Sequence, residues 1–169
     1  MKTSLIITTY NWPKSLEIVL RSIIKQSVLT DEIIIADDGS TNETKILIES
    51  YRKKFKNKLK HIWQKDDGFQ KTIILNKAII LAKGDYIIQI DGDIVLHKHF
   101  IKDHIKNAQK NTFIHGSRVF LNKQTTQTAI KQLSFKFSFF NNGISNRLNG
   151  IRSTFLSKII SRKNKNLKG

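Results

Sequence analysis

Asp91 and Asp93, split by one glycine, close an apolar stretch that reads IIQIDGDIVLH from Ile87 to His97. Buried strands do not finish on two acids unless something cationic meets them. In extended backbone, residues two apart face the same side, so both carboxylates are expected to converge on one ion. Hard oxygen donors suit Mg2+ or Mn2+, which one or two carboxylates commonly hold together with substrate phosphates. Gly92 would let a phosphate or ribose approach the main chain closely. A metal there would neutralise charge on a departing diphosphate. The plainer reading is a tight turn whose acids cap a helix from Lys98 onward.

Other polar clusters follow the same rule. Thr8, Thr9, Tyr10 and Asn11 follow the apolar run SLIITTY. Asp37 and Asp38 end EIIIADD, and Asp66 and Asp67 follow KLKHIWQ. Each cluster closes a strand-like segment, and helical patterns lie between the segments. Pro13 suits a first helical turn, and Leu16, Val19, Leu20, Ile23 and Ile24 recur at helical spacing. A Lys-rich helix carries Ile46, Leu47, Ile48, Tyr51 and Phe55, and Thr72 to Ala82 reads as another. Continuous apolar strands separated by helices predict a mostly parallel α/β sheet with helices on both faces. Right-handed crossovers then bring every strand end to one edge, where ligands of open α/β sheets bind.

Later segments carry weaker patterns. Ile101–Ala108 reads as helix, Thr112–Leu121 as strand, Thr125–Phe140 as a helix with an aromatic stripe, and Gly150–Lys163 as a basic amphipathic helix. His97, His99, His104 and His115 read as ordinary surface or core residues, and Trp12 and Trp63 as packing near strand ends.

The segments SLIITTYNWPKSLEIVLRSIIKQS, EIIIADDGSTNET, DDGFQKTIILNKAIILAKGDYIIQIDGDIVLHKHFI and GSRVFL together resemble the family 2 glycosyltransferases of GT-A fold. The resemblance is strongest to the bacterial branch that builds lipopolysaccharide or capsule glycans. It implies a nucleotide-sugar donor, with a UDP-sugar favoured, and transfer with inversion to a glycan or lipid-linked acceptor. Thr8 and Tyr10 would shape the nucleobase pocket, and Asp38 with Asp37 would hydrogen-bond the base. Asp67, Gly68, Phe69 and Lys71 would lie near the sugar diphosphate. Asp91 would contact ribose or metal, and Asp93 would hold the metal. The implied division is 1–121 as a GT-A domain and 122–169 as the basic, partly helical start of an acceptor region. DGDIV also fits the DxDx(T/V) signature of haloacid-dehalogenase-type phosphatases. That motif normally stands early in its chain with a lysine and further acids downstream; here it follows ninety residues of strand and helix patterns, and no acid remains after Asp103.

Inverting transfer needs a carboxylate base for the acceptor hydroxyl. In the family it follows a segment like NKNLKG, so the base is expected beyond Gly169; Asp66, Asp67 or Asp103 could substitute. The expectation is donor and metal binding with slow or no turnover, as from a fragment, a split-enzyme half or a remnant.

The net charge is +17, and all thirteen acids lie between Glu17 and Asp103. Thirteen Lys and Arg follow with no acid among them. Such a surface seeks polyanions, an anionic membrane face among them. Nucleic acid is disfavoured as partner, because no recognition motif accompanies the charge. No Cys is present, which excludes disulfides and thiolate chemistry. The start of the chain reads as no signal peptide. The expected location is cytoplasmic, or peripheral on the inner face of the membrane.

Overall fold

Thr3–Thr9 (β1) is buried along its whole length. Its Ile and Thr side chains suit a pleated strand packed on both faces. The computed structural model, which describes residues 1–153, places β1 between two parallel neighbours. Glu32–Asp37 (β2) pairs on one side and Tyr86–Asp91 (β4) on the other. Leu59–Trp63 (β3) pairs outside β2, giving the order β3-β2-β1-β4.

The helices explain the order. Pro13–Ile24 (α1) and Asn42–Tyr51 (α2) connect β1 to β2 and β2 to β3. Both pack in one core with Leu5, Ile7, Ile33, Ile35, Ile88 and Ile90. Lys71–Leu81 (α3) carries the chain back past β1 to β4. It packs on the opposite face, where Ile74 and Ala78 meet Ile6, Ile34 and Ala36. A crossover of constant hand must change face when the chain reverses direction across the sheet. The reversal point lies between β1 and β4. Fully burying one side chain such as Ile6 or Ile35 contributes about 1.5–3 kcal/mol, so the two cores hold the strand ends in a fixed relation.

Phe100–Asn107 (α4) follows the β4 turn and buries Ile101 in the first core. The predicted helix over 72–82 forms at Lys71–Leu81, and Ile46, one of the apolar positions of the Lys-rich helix, is exposed. Among the described residues, 1–114 and 127–136 form one compact unit, and 115–126 with 137–153 form another. In the second, Phe120–Leu121 (β5) pairs antiparallel with Ile144–Ser145 (β6).

Three expectations after residue 110 change. The strand predicted over 112–121 exists only as β5, because no longer partner is present among the described residues. Strand propensity alone does not hold a strand without a neighbour. The helix predicted over 125–140 runs as Lys123–Gln132 (α5). It stops because Leu133 is left-handed, φ 48°. The Ser134 amide then donates to the Ala129 carbonyl and the Leu133 amide to Ile130, a Schellman end. Of the basic helix predicted over 150–163, residues 147–150 form a short 3-10 turn and 151–153 follow without regular structure. Its remainder lies outside the described residues. No described helix is long and apolar enough to cross a membrane.

Candidate functional site

Parallel strands deliver their carboxyl ends to one edge, and the loops there interlock. Asn11 follows β1 in the left-handed region, φ 45°. Its amide donates to Ser40 Oγ at 2.9 Å, and its Oδ1 accepts the Thr41 amide at 2.9 Å. Gly39, with φ 98°, lets the β2 loop meet the β3 loop closely. A Cβ at this position would stand 2.6 Å from Asp66 Cα. Tyr10 Oη donates to Asp66 at 3.0 Å, and Trp63 Nε1 donates to the Ser40 carbonyl at 3.0 Å.

These loops enclose a cleft of about 250 Å³ at the reversal point. It is lined by Thr8, Thr9, Tyr10, Trp12, Asp38, Phe69, Lys71, Asp91, Gly92 and Asp93. Thr8 and Asp91 are register partners on β1 and β4. Thr8 Oγ1 donates to Asp91 Oδ1 at 2.8 Å, and Lys71 Nζ reaches the same oxygen at 2.5 Å. Lys71 is the first residue of α3, so the amino end of that helix and one cation meet the carboxylates at this edge.

The two aspartates of the DGD segment share the cleft for a different reason than strand periodicity. β4 ends at Asp91, and the Ile94 amide closes a turn onto the Asp91 carbonyl at 3.1 Å. Asp93 therefore lies in the turn, exposed, and not on an extended strand. The turn does not cap a helix either, since α4 begins only at Phe100. Gly92 is likewise explained by the protein itself. Its amide donates to the Thr8 carbonyl at 2.7 Å, and a Cβ there would come within 3.0 Å of that oxygen. The close approach it permits is between β1 and the β4 turn.

Thr8, Tyr10, Asp38, Lys71, Asp91 and Asp93 line the cleft. Asp37, Asp67 and Gly68 do not. Asp37 is fully buried beneath it, accepting from the Ser40 amide at 2.8 Å and meeting His61 Nε2 at 2.9 Å. It holds the loop beneath the cleft. Asp67 lies in the exposed β3–α3 loop, where its carboxylate accepts from Gln70 Nε2 at 2.8 Å. Asp38 is buried but faces the cleft, and both its oxygens are held. Gln64 Nε2 donates to Oδ1 at 2.6 Å and the Gln70 amide to Oδ2 at 3.0 Å. Sequence reasoning did not single out Gln64, Gln70 or His61, because each acts through a partner distant in sequence or across a loop.

The aromatics also differ from expectation. Trp12 and Trp63 are not packed away: they are 45% and 54% exposed. Trp12 lines the cleft with Tyr10, which is 51% exposed, and Phe69, which is 88% exposed. Three exposed rings around one cleft form an apolar rim suited to a flat ligand. Of the histidines, His104 is half-buried, its Nδ1 3.0 Å from Tyr86 Oη, and burial holds its pKa below the usual value. None lines the cleft. Among the described residues no group of three or more His, Cys, Asp and Glu is placed to hold a metal.

An open parallel sheet with helices on both faces and a carboxylate-lined cleft at its reversal point defines the GT-A class of fold. Residues 4–164 match the sequence profile of glycosyl transferase family 2, and the chain belongs to that family. It is 32% identical over 103 residues to a hyaluronan synthase of Pasteurella multocida, covering 60% of this chain and 10% of that protein. It is 32% identical over 105 residues to TarS of Staphylococcus aureus, a poly(ribitol-phosphate) β-N-acetylglucosaminyltransferase, covering 61% of this chain and 18% of that protein. The crystal structure of TarS 1–349 with UDP-GlcNAc is similar at a TM-score of 0.55 and 33% identity. The match covers 63% of this chain and 30% of that one. The chain thus spans less than a fifth of these two relatives.

Proposed function

We propose that residues 1–169 bind the nucleotide-sugar donor of a glycosyltransferase, with a UDP-sugar favoured. The observation that carries this reading is the convergence of Thr8, Lys71, Asp91 and Asp93 in one cleft at the reversal point of the sheet. The similarity to TarS, whose structure holds UDP-GlcNAc, supports the choice of donor. Asp38 accepts a hydrogen bond from the base, and Thr8 and Tyr10 wall the base pocket. Lys71 offers its ammonium to the diphosphate.

Asp91 and Asp93 fit Mg2+ or Mn2+. They are all-oxygen donors, and two carboxylates are what such ions commonly take alongside phosphate oxygens. When bound, the ion would offset charge on the departing diphosphate. The residues themselves orient the donor: Thr8 fixes the Asp91 carboxylate, and the rim of Tyr10, Trp12 and Phe69 excludes water from the flat part of the ligand.

The proposed acceptor is a glycan or lipid-linked glycan, with inversion at the transferred sugar. The acid-free, Lys/Arg-rich half after Asp103 supports an anionic membrane face as partner, on the cytoplasmic side. Donor binding is the role proposed for residues 1–169, and base catalysis is assigned to none of them.

A thermal-unfolding series with UDP, GDP and CDP, each with and without Mn2+, tests the reading. Stabilisation by UDP with Mn2+ is expected, about 2.7 kcal/mol when ligand stands at a hundred times Kd. No shift with any nucleotide would overturn it.

A further inference from the structure

We infer that Gln64 is the positioning residue that fixes Asp38 as a pure acceptor and so sets the choice of nucleobase. Gln64 stands just after β3, half-buried, and does not line the cleft. Every polar atom of its amide is engaged. Nε2 donates to Asp38 Oδ1 at 2.6 Å and to the Gln70 carbonyl at 3.3 Å. Oε1 accepts from Lys77 Nζ at 3.0 Å.

These partners admit only one amide orientation. A carboxylate and a carbonyl can only accept, and an ammonium can only donate. Turning the amide over would set oxygen against two acceptors and NH2 against a cation. Lys77 on α3 thus locks Gln64, and Gln64 holds Asp38. The Gln70 amide holds the other carboxylate oxygen at 3.0 Å. Gln64 does not line the cleft, and its bond to Asp38 is its route to a ligand there.

The consequence concerns the ligand's edge. Both Asp38 oxygens are held by donors, so the carboxylate is fixed in one orientation. What it can receive from the cleft is a donor. Uracil carries its donor at ring N3, whereas cytosine has an unprotonated acceptor there and its donor on the exocyclic N4, so a carboxylate held in one place and aimed at N3 distinguishes the two. A clamped Asp38 therefore favours a uracil nucleotide over a cytosine one. This inference rests on the donor reading proposed above, in which Asp38 meets the base.

The near-isosteric Gln64→Glu replaces the Nε2 donor with an acceptor and places two carboxylates together. One proton is then shared by the pair, and its titration belongs to both. Isothermal titration of UDP and of CDP, with Mn2+, into wild type and variant at pH 5.5 and pH 8 reads the effect. Taken as the ratio of variant to wild type at each pH, UDP affinity is expected to fall about tenfold. The fall is expected to be larger at pH 8, and the UDP-over-CDP preference to shrink. Lys77→Met changes an exposed side chain that spares the core; a loss of about threefold, in UDP affinity alone, is expected. A purely structural Gln64 would lower stability and leave both the pH dependence and the base preference as in wild type. Wild type binding UDP over CDP, with Gln64→Glu and Lys77→Met unchanged in affinity, pH profile and preference, would overturn the clamp alone. Wild type binding neither nucleotide would overturn the donor reading and the clamp with it.

Discussion

Thr8 and Asp91 sit 83 residues apart in sequence and face each other across the β1–β4 pair, joined by a 2.8 Å hydrogen bond. The bond spans the point at which the sheet reverses direction, and it fixes the carboxylate that Lys71 also meets. Thr8→Val keeps the shape and removes the donor. A hydrogen bond to a charged acceptor contributes about 1.5–3 kcal/mol. We expect UDP affinity to fall about tenfold or more, with a smaller loss of thermal stability because Lys71 still meets Asp91. Calorimetric titration beside a melting curve separates the two effects.

Gly39→Ala tests the loop junction under the cleft. The residue has φ 98°, and an added Cβ would press on the Asp66 backbone at 2.6 Å. Strain of about 1–3 kcal/mol is expected, which lowers Tm by roughly 3 °C or more for a chain of this size. Circular dichroism melting reads it. An unchanged Tm would mean that the β2 and β3 loops are not in contact.

Phe69→Ala probes the rim. The ring is 88% exposed, so its removal should leave stability within about 0.5 kcal/mol. It lines the cleft, so UDP-sugar affinity should drop roughly fivefold, given stacking worth on the order of 1 kcal/mol. Equal affinity in variant and wild type would remove Phe69 from the binding surface.

Glu32 sets a pH dependence at the other end of the sheet. Burial alone pushes its carboxyl up, but the Lys60 ammonium, the Lys83 amide and the Ser4 hydroxyl outweigh that and hold it below 4.5. Below 4.5 the unfolded chain therefore binds the proton before the folded protein does. The stability Glu32 contributes is present above pH 4.5 and is lost as pH falls through the folded value. Urea unfolding midpoints of Glu32→Gln are expected to fall less steeply than wild type below pH 4.5. Parallel acid limbs would contradict this.

The fold before residue 108 was largely legible, because β1, β2 and α1 bury continuous or periodic apolar patterns and α2 and α3 anchor through Ile48 and Ile74. The reason that Asp91 and Asp93 share one cleft was not. Strand periodicity predicted it, but a turn at Gly92 produces it. Asp37 and Asp38 are adjacent and chemically identical in sequence. The Ser40 amide and His61, 24 residues away, hold Asp37 inward, while Asp38 faces the cleft. Leu133 ends α5 in a left-handed conformation that usually falls to glycine, so no sequence signal marked it. Gln64 carries no motif at all, since its role exists only through Asp38 and Lys77.

We propose that Asp91 and Asp93 hold a divalent ion that binds the donor diphosphate. Calorimetric titration of UDP into wild type with Mn2+, into wild type with EDTA, and into Asp93→Ala with Mn2+ tests it most directly. Saturable binding is expected in the first case and at least about tenfold weaker binding in the other two, the loss of one charge-assisted ligand contact. Equal affinity in all three, or no binding in the first, would contradict it.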